Sequence, residues 1–141
     1  IEEHTKNIDI ALSSQTKKIK AIFHFGEFAR IYQSFSKINE CIESNSVGSH
    51  VIFNFCFTHK IKPVYSATSA SIGNNGEDKN LSPYAFTKSK NLELLQNYNK
   101  WFDFNFEITY FYNAYGPKQI KNSEMATVIG IFKDQYKKID I

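Results

Sequence analysis

Apolar and polar positions alternate along the chain in blocks that predict strands and helices in turn. The mostly apolar run from Ile19 to Phe25 ends at Gly26 and predicts a short buried strand. From Ile38 to His59 apolar residues recur at helical spacing and predict one long helix, in which Gly48 would let the helix approach the sheet closely. The larger residues of its apolar stripe are Val47, Val51, Ile52 and Phe55.

The middle of the chain predicts a second strand, a loop and a second helix. Ile61 to Tyr65 predicts the strand, which leads into a run of small, hydroxyl-bearing residues from Ser66 to Ser71. Glycine, asparagine and aspartate accumulate from Gly73 to Asn80 and indicate a loop. Ser82 is a favourable N-cap and is followed by a proline, so a helix is predicted to begin there and to end near Phe102.

The last third of the chain completes the alternation. Phe106 to Tyr112 predicts a third strand, and Ser123 to Lys138 predicts a third helix. Strands that alternate with long helices predict an α/β fold with a parallel sheet built from right-handed crossovers. In such a sheet the ligand lies beyond the carboxyl ends of the strands. The segments expected at that edge are Phe25 to Glu27, Ser66 to Ser71, and Tyr112 with Asn113.

Composition narrows the class of protein. The 141 residues are 42% hydrophobic and 16% aromatic, which is typical of a packed globular chain. No apolar run approaches the roughly 18 residues that span a membrane, and the polar first stretch is unlike a secretory signal. The net charge of +3 is too small to indicate a nucleic-acid partner. Cys41 and Cys56 form no metal-binding pattern and are expected to be buried thiols in a reducing, cytoplasmic compartment.

Tyr84 and Lys88 are the candidate catalytic pair. Their spacing of four places both on one face of the predicted helix. A free tyrosine titrates at about pH 10, and a nearby ammonium is expected to lower the pKa of Tyr84. Such a phenol can take a proton from an alcohol while a hydride leaves the same carbon, and a hydroxyl such as that of Thr68 can hold the substrate oxygen.

The alternative is that the pair lies on an ordinary exposed helix face. YxxxK by itself favours that explanation, because short motifs match often by chance. The context favours catalysis instead: a cap and a helix-starting proline precede Tyr84, and a hydroxyl-rich strand end precedes the loop.

Four segments resemble motifs of the extended short-chain dehydrogenase/reductase family. Ser82 to Lys88 resembles its SPYxxSK segment, and Tyr112 to Pro117 resembles its FNxYGP turn. Asn45 to Ser49 is similar to its NxxGT helix segment, and Ile22 to Gly26 resembles its VxHLAA strand end. The motifs occur in the family's order and cover most of the chain. The resemblance is to the NAD-dependent epimerase/dehydratase members, above all the UDP-glucose 4-epimerase type, and it implies a Rossmann-like sheet.

The resemblance also implies roles. Tyr84 would be the catalytic acid and base, Lys88 would bind the nicotinamide ribose of NAD and tune Tyr84, and Thr68 would take the place of the catalytic serine or threonine. The residues that would line the NAD site with Tyr84 and Lys88 are Phe25, Gly26, Asn45 and Tyr112. Asn113, with Thr68, would contact the nucleotide-sugar substrate.

Several of these residues have plainer explanations that the sequence leaves open. Phe25 and Gly26 would fit a simple strand end, Asn45 could brace a helix, and Asn113 could be a turn residue. His24 is expected to be a core histidine and not a metal ligand. The aromatic residues expected only to pack at the end of the second helix are Tyr98, Trp101 and Phe102.

Two departures from the family pattern lead us to expect an incomplete domain over residues 1–141. The chain contains no GxxGxxG turn to cradle a pyrophosphate, and it ends where the family's substrate domain would follow. Its first residue is Ile1 and not methionine. We therefore expect the first βαβ unit and the substrate domain to be missing, and these residues alone to be inactive. The family's HLAA reads His24 to Glu27 here, so local cofactor contacts are expected to differ.

The resulting hypothesis is a sugar-nucleotide 4-epimerase that uses NAD. The alternatives are a reductase of the same family and a non-catalytic remnant that keeps YxxxK by descent. Dehydratases carry an Asp-Glu pair after the catalytic threonine, whereas Ser69 and Ala70 stand here, so dehydration is not expected. A homodimer through the helices that hold Asn45 and Tyr84 is expected, with no nucleic acid and no membrane as partner.

Overall fold

The computed structural model describes residues 2–12, 14–120 and 126–138. They fall into two compact units, Ile1–Phe111 and Tyr112–Ile141. The first unit contains the sheet, and the described part of the second unit contains a helix near the end of the chain.

Three parallel strands form the sheet of the first unit, in the order β1-β2-β3. They are β1 Ala21–His24, β2 Lys62–Thr68 and β3 Glu107–Phe111. His24 pairs with Tyr65 and Thr68 pairs with Phe111, so the carboxyl ends of all three strands lie at one edge. The parallel α/β fold is therefore confirmed. The second strand runs three residues beyond its predicted end and includes the first half of the hydroxyl-bearing run.

The first unit is rich in helices. Its α-helices are α1 Glu2–Leu12, α2 Ile31–Ser36, α3 Ile38–Ile42, α4 Ser49–His59 and α5 Pro83–Phe102. A π-helix, Glu43–Gly48, joins α3 to α4, so the predicted helix from Ile38 to His59 is continuous but wider in its middle. Short 3-10 segments cover Thr16–Lys18, Ser69–Ser71 and Gly73–Asn80; the last of these was predicted as a loop.

Gly48 does not have the role that the sequence predicts for it. A Cβ atom at this position would meet only the carbonyl oxygen of Glu43 in its own helix, at 3.6 Å. That distance is an ordinary van der Waals contact. The sheet does not approach closely enough to require a glycine there, and the expectation was wrong.

The core lies between the sheet and helices α4 and α5. Tyr65 of β2 packs edge-on against Phe53 of α4, with ring centroids 5.5 Å apart. Leu95 of α5 and Phe55 of α4 are also fully buried in this cluster. Because both helices connect successive parallel strands, their buried faces meet over the middle strand.

An aromatic cluster closes the end of the sheet where the strands begin. Phe57 at the end of α4 contacts Tyr98, Phe102 and Phe104, with ring centroids 5.1–5.8 Å apart. Trp101 contacts both Tyr98 and Phe102. These residues pack on one another, as the sequence predicts for the end of the second long helix.

The second unit contains α6, Val128–Lys138. The predicted start of this helix at Ser123 lies outside the described residues. Gln119 donates a hydrogen bond to the Thr127 hydroxyl just before the helix begins. A Cβ atom at Gly130 would collide with the Ile120 carbonyl oxygen, so this position needs a glycine for close backbone approach.

Candidate active site

The first turn of α5 positions the candidate catalytic pair. Ser82 has extended backbone, and its Oγ accepts a hydrogen bond from the Ala85 N–H at 3.0 Å. Pro83 occupies the first turn, where its missing N–H leaves no intrahelical bond unmade. The N-cap predicted from the sequence is therefore present. It fixes where the helix starts, and so which face Tyr84 and Lys88 share.

Tyr84 lies at the carboxyl end of β2 and is partly buried. The side chain of Thr68, the last residue of that strand, lies near enough to the phenol to lower its pKa by hydrogen bonding. Thr68 is buried, and its Oγ1 also accepts a bond from the Ala70 N–H at 3.3 Å. The structure thus brings together the two hydroxyls that the sequence assigns to proton transfer and substrate positioning.

The pKa of Tyr84 moves in the direction opposite to the one expected from the sequence. Burial raises it, and the hydrogen bond from Thr68 opposes that rise. The carboxylate of Glu27 raises the pKa further, while the guanidinium of Arg30 lowers it. The expectation of a net decrease was wrong, because it took account of the lysine but not of burial or of the carboxylate.

Lys88 is buried, and all three of its N–H donors have acceptors. Its ammonium donates to the Glu27 carboxylate, to the Ser66 carbonyl oxygen and to Ser66 Oγ, the last at 3.0 Å. Nζ also lies 4.7 Å from the centroid of the Tyr65 ring. Burial lowers the pKa of Lys88, and the carboxylate of Glu27 opposes this decrease.

The sequence places Glu27 at this edge of the sheet but gives it no role in the site. Its side chain is only 2% exposed although it follows a strand end and precedes a surface helix. The signal was present in the sequence, because a carboxylate stands where the family motif has its second small residue. What the motif could not show is that this carboxylate pairs with a lysine 61 positions away.

His24 is a core residue, as expected. It is buried between the rings of Phe53 and Tyr65, with centroids 6.0 Å away in each case. Its Nε2 lies 2.9 Å from Ser49 Oγ, and the single hydroxyl proton of Ser49 is donated to Glu27 at 2.8 Å. Nε2 must therefore be the donor to Ser49. Burial is the main cause that lowers the pKa of His24.

Asn45 braces the loop that follows β1. Its Oδ1 accepts from the Phe28 N–H at 2.7 Å, and its Nδ2 donates to the Phe28 carbonyl at 3.1 Å and to Thr87 Oγ1 at 3.2 Å. The side chain is fully buried, so these bonds satisfy its amide. A role of Asn45 at the cofactor stays a prediction, and its contacts suit an indirect one through the loop.

Phe25 and Gly26 directly follow β1. The Phe25 ring is about half exposed and packs edge-on against Phe23 and Phe111, at 5.8 and 5.2 Å between centroids. Among the described residues, and apart from its two chain neighbours, Gly26 has no heavy atom within 4 Å of the position that a Cβ would take. This strand end is therefore open to a ligand.

Tyr112 and Asn113 belong to the second unit and are both exposed. Their roles at the cofactor and the substrate stay predictions.

The two cysteines are buried, as the sequence predicts. Cys41 and Cys56 are free thiols, both buried. Burial raises the pKa of Cys56 to about 12. Across the described ranges, no three His, Cys, Asp or Glu side chains come together as metal ligands. Within those same ranges no helix is both long and apolar enough to cross a membrane.

A sequence profile of the NAD-dependent epimerase/dehydratase family matches residues 4–138. The chain belongs to this family. A dTDP-D-glucose 4,6-dehydratase from Dictyostelium discoideum is 27% identical over 125 residues, which cover 74% of this chain and 29% of that protein.

Solved structures share the fold. A UDP-glucose 4-epimerase from Thermus thermophilus, solved with NAD, has a TM-score of 0.81 at 19% identity, covering 97% of this chain and 47% of that one. A UDP-N-acetylglucosamine 4-epimerase from Methanobrevibacter ruminantium has a TM-score of 0.75 at 24% identity, covering 84% and 41%. The chain therefore spans less than half the length of each of these relatives.

The described residues fit a nicotinamide cofactor in two respects. The hydroxyls of Tyr84 and Thr68 meet at the carboxyl ends of parallel strands, where α/β sheets bind dinucleotides. Gly26 leaves the neighbouring strand end uncovered. Lys88 would hold the ribose in the family pattern, but here its donors already have partners in the protein.

Proposed function

We propose that this chain carries the catalytic segment of an NAD-dependent sugar-nucleotide 4-epimerase, with Tyr84 as its acid and base. The observation that carries the proposal is that the Thr68 hydroxyl, at the carboxyl end of β2, lies near enough to the Tyr84 phenol to lower its pKa. It places a titratable hydroxyl beside a fixed one at the edge of the sheet where ligands bind. Membership of the epimerase/dehydratase family and the fold of solved 4-epimerases support the same chemistry.

The residues divide the proton chemistry between them. Thr68 holds the oxygen at C4 of the sugar by a hydrogen bond, and Tyr84 removes and later returns the proton of that hydroxyl. Lys88, one helical turn further along, keeps the surroundings of Tyr84 polar and structured. NAD, when bound, would take the hydride from C4 and return it to the opposite face.

Dehydration is disfavoured by the residues that follow Thr68. In dehydratases an Asp-Glu pair would protonate the leaving hydroxyl and remove the neighbouring C–H proton. Ser69 and Ala70 occupy those positions in a 3-10 turn, and neither carries a carboxylate. The Dictyostelium relative is described as a dehydratase, so the reaction type needs a direct test.

The test is product analysis with a chimera in which this chain replaces the corresponding segment of the Thermus thermophilus epimerase. UDP- and dTDP-hexoses are supplied with NAD, and the products are resolved by NMR. A C4 epimer is the expected product. Accumulation of a 4-keto-6-deoxy sugar would contradict the proposal, and reduction of a 4-keto sugar without epimerisation would favour the reductase alternative.

Tyr84→Phe in the same chimera identifies the acid and base. We expect turnover to fall about a hundredfold or more while NAD affinity is nearly retained, because the ring still packs and only the hydroxyl is lost. Lys88→Ala should lower both turnover and NAD affinity. Near-normal turnover of Tyr84→Phe would exclude the assigned role and favour the non-catalytic alternative.

The 141 residues alone are expected to bind NAD weakly, because their sequence has no Gly-rich turn to hold the pyrophosphate. Calorimetric titration with NAD measures this directly, and micromolar affinity would refute it. From membership of the epimerase/dehydratase family we also propose a nucleotide-sugar substrate and a homodimer formed through the helices that hold Asn45 and Tyr84. The two buried, free cysteines favour a cytoplasmic location.

A further inference from the structure

A buried carboxylate lies beneath the candidate catalytic pair. Glu27 follows β1, yet its side chain accepts hydrogen bonds from residues of α4, β2 and α5. Oε1 accepts from Ser49 at 2.8 Å and from Asn91 at 3.2 Å, and the Tyr65 hydroxyl lies 3.3 Å away. A carboxylate with this many donors is held in one orientation.

The other oxygen of Glu27 meets Lys88. Oε2 accepts from the ammonium and from Ser66 Oγ, the latter at 3.1 Å. The two charged side chains are 2% and 5% exposed, so water does not screen their interaction appreciably. Since the remaining donors of Lys88 bond to Ser66, the whole position of the ammonium is set by the carboxylate and by one residue of β2.

We infer that Glu27 is a positioning residue for the Tyr84–Lys88 pair: it holds the Lys88 ammonium against the carboxyl end of β2 and offsets its positive charge. The inference rests on the proposed function only in treating Tyr84 and Lys88 as the catalytic pair. A small residue at this position, as in the family's HLAA motif, would leave the ammonium without a counter-charge.

The charges around Tyr84 make the inference measurable. Arg30 and Glu27 face it from the loop after β1, Cys41 from α3 and the Thr68 hydroxyl from β2. Of these, Glu27 raises the pKa of the phenol and Arg30 lowers it. Neutralising Glu27 alone should therefore lower the pKa of Tyr84, because the Arg30 guanidinium would then act without an opposing carboxylate.

The experiment is a charge cycle on the 141-residue chain, read by NMR titration of tyrosine labelled with ¹³C at Cζ. The spectrum of Tyr84→Phe assigns the Tyr84 signal among the eight tyrosines. We expect Glu27→Gln to shift the Tyr84 titration to lower pH and Lys88→Met to shift it to higher pH. The double variant, which removes both charges, should return it close to the parent value.

Two further variants separate charge from structure. Ser49→Ala removes one hydrogen bond to the carboxylate without changing charge, and should leave the titration in place. Glu93→Gln removes a carboxylate from an exposed pair with Lys90 on the same helix, and should also leave it in place. Should Glu27→Gln fail to fold, Glu27→Asp keeps the charge and is expected to titrate like the parent.

Three outcomes would overturn the inference: an unchanged Tyr84 titration in folded Glu27→Gln, equal shifts in Glu27→Gln and Glu93→Gln, or single variants that move the titration in the same direction. None of them bears on whether Tyr84 is catalytic, which the turnover of Tyr84→Phe decides. The two proposals can therefore fail separately.

Discussion

The two ends of the sheet are built from opposite kinds of side chain. Where the strands begin, the rings of Phe57, Tyr98 and Phe104 pack against one another. Where the strands end, Glu27 and Lys88 are buried and form a charged, hydrogen-bonded cluster. The same two helices, α4 and α5, contribute to both ends.

The two ends differ in how much free energy a small displacement or a substitution of their side chains costs. Hydrophobic burial is non-directional, so a small displacement of an aromatic ring costs little, and the aromatic end serves mainly stability. A buried ion pair adds little net stability because of the cost of removing two charges from water, but breaking it is severe. The presence of the costly arrangement at the strand ends points to a functional requirement there.

The largest expected effect is at the polar end. Lys88→Met leaves the Glu27 carboxylate buried without its ammonium, and we expect the free energy of unfolding to fall by about 3–5 kcal/mol. Urea denaturation followed by circular dichroism measures it. The double variant with Glu27→Gln should recover most of the loss, and a loss below about 1 kcal/mol, as for a surface pair, would contradict the burial of this pair.

A comparable loss of stability is expected from a substitution at the aromatic end, but with no effect on the titration of Tyr84. Phe104→Ala removes a buried ring from contacts with Phe57 and Tyr98, and should cost about 3 kcal/mol. The Tyr84 titration should remain where it is in the parent. If the titration moves with Phe104→Ala, the two ends are coupled, and the contrast between them does not hold.

A smaller effect follows from the buried histidine. Burial lowers the pKa of His24, so between that value and about 6.5 the unfolded chain binds more protons than the folded one. Stability from the neutral ring is therefore complete above about pH 6.5 and is lost as the pH falls below it. The free energy of unfolding, measured in urea at about pH 7.5 and about pH 5.5, gives the slope of stability with pH on either side of about pH 6.5. His24→Gln should make this slope smaller. An equal slope in the parent and in His24→Gln would show that His24 does not cause the pH dependence.

The smallest effect is expected from the exposed ion pair on α5. Lys90 and Glu93 are both more than half exposed, so solvent screens their attraction. Lys90→Met should leave the urea midpoint unchanged within error, in contrast to Lys88→Met two residues earlier. A clear loss would show that exposure does not separate the two lysines.

Local chemistry made part of this fold predictable. The helix from Ile38 to His59 and the helix that begins after Ser82 follow from periodicity and capping, and both have the predicted limits. Helices α1 and α2 were missed: α1 is largely polar, and α2 has only six residues. Local propensity is weak over such segments, and packing decides their structure.

The candidate site was predictable only where its residues lie close in sequence. Tyr84 and Lys88 share a helix face by spacing alone, and Thr68 follows from its place at a strand end. Glu27 could not be assigned, because its partners are on three other elements and its role exists only once they pack together. The expected direction of the Tyr84 pKa shift was wrong for the same reason.

The π-helix between α3 and α4 has a consequence for helical phase. In an α-helix every fourth residue turns about 40° past the one before it, so a stripe with a period of four drifts around the axis. The wider π turn takes back part of that drift. Cys41, Asn45, Ser49 and Phe53, four residues apart, are all 0% exposed, and two of them are polar. The extra width thus lets one unbroken helix direct the Asn45 amide towards the loop after β1 and the Ser49 hydroxyl towards the Glu27 carboxylate, on the same line as its core residues.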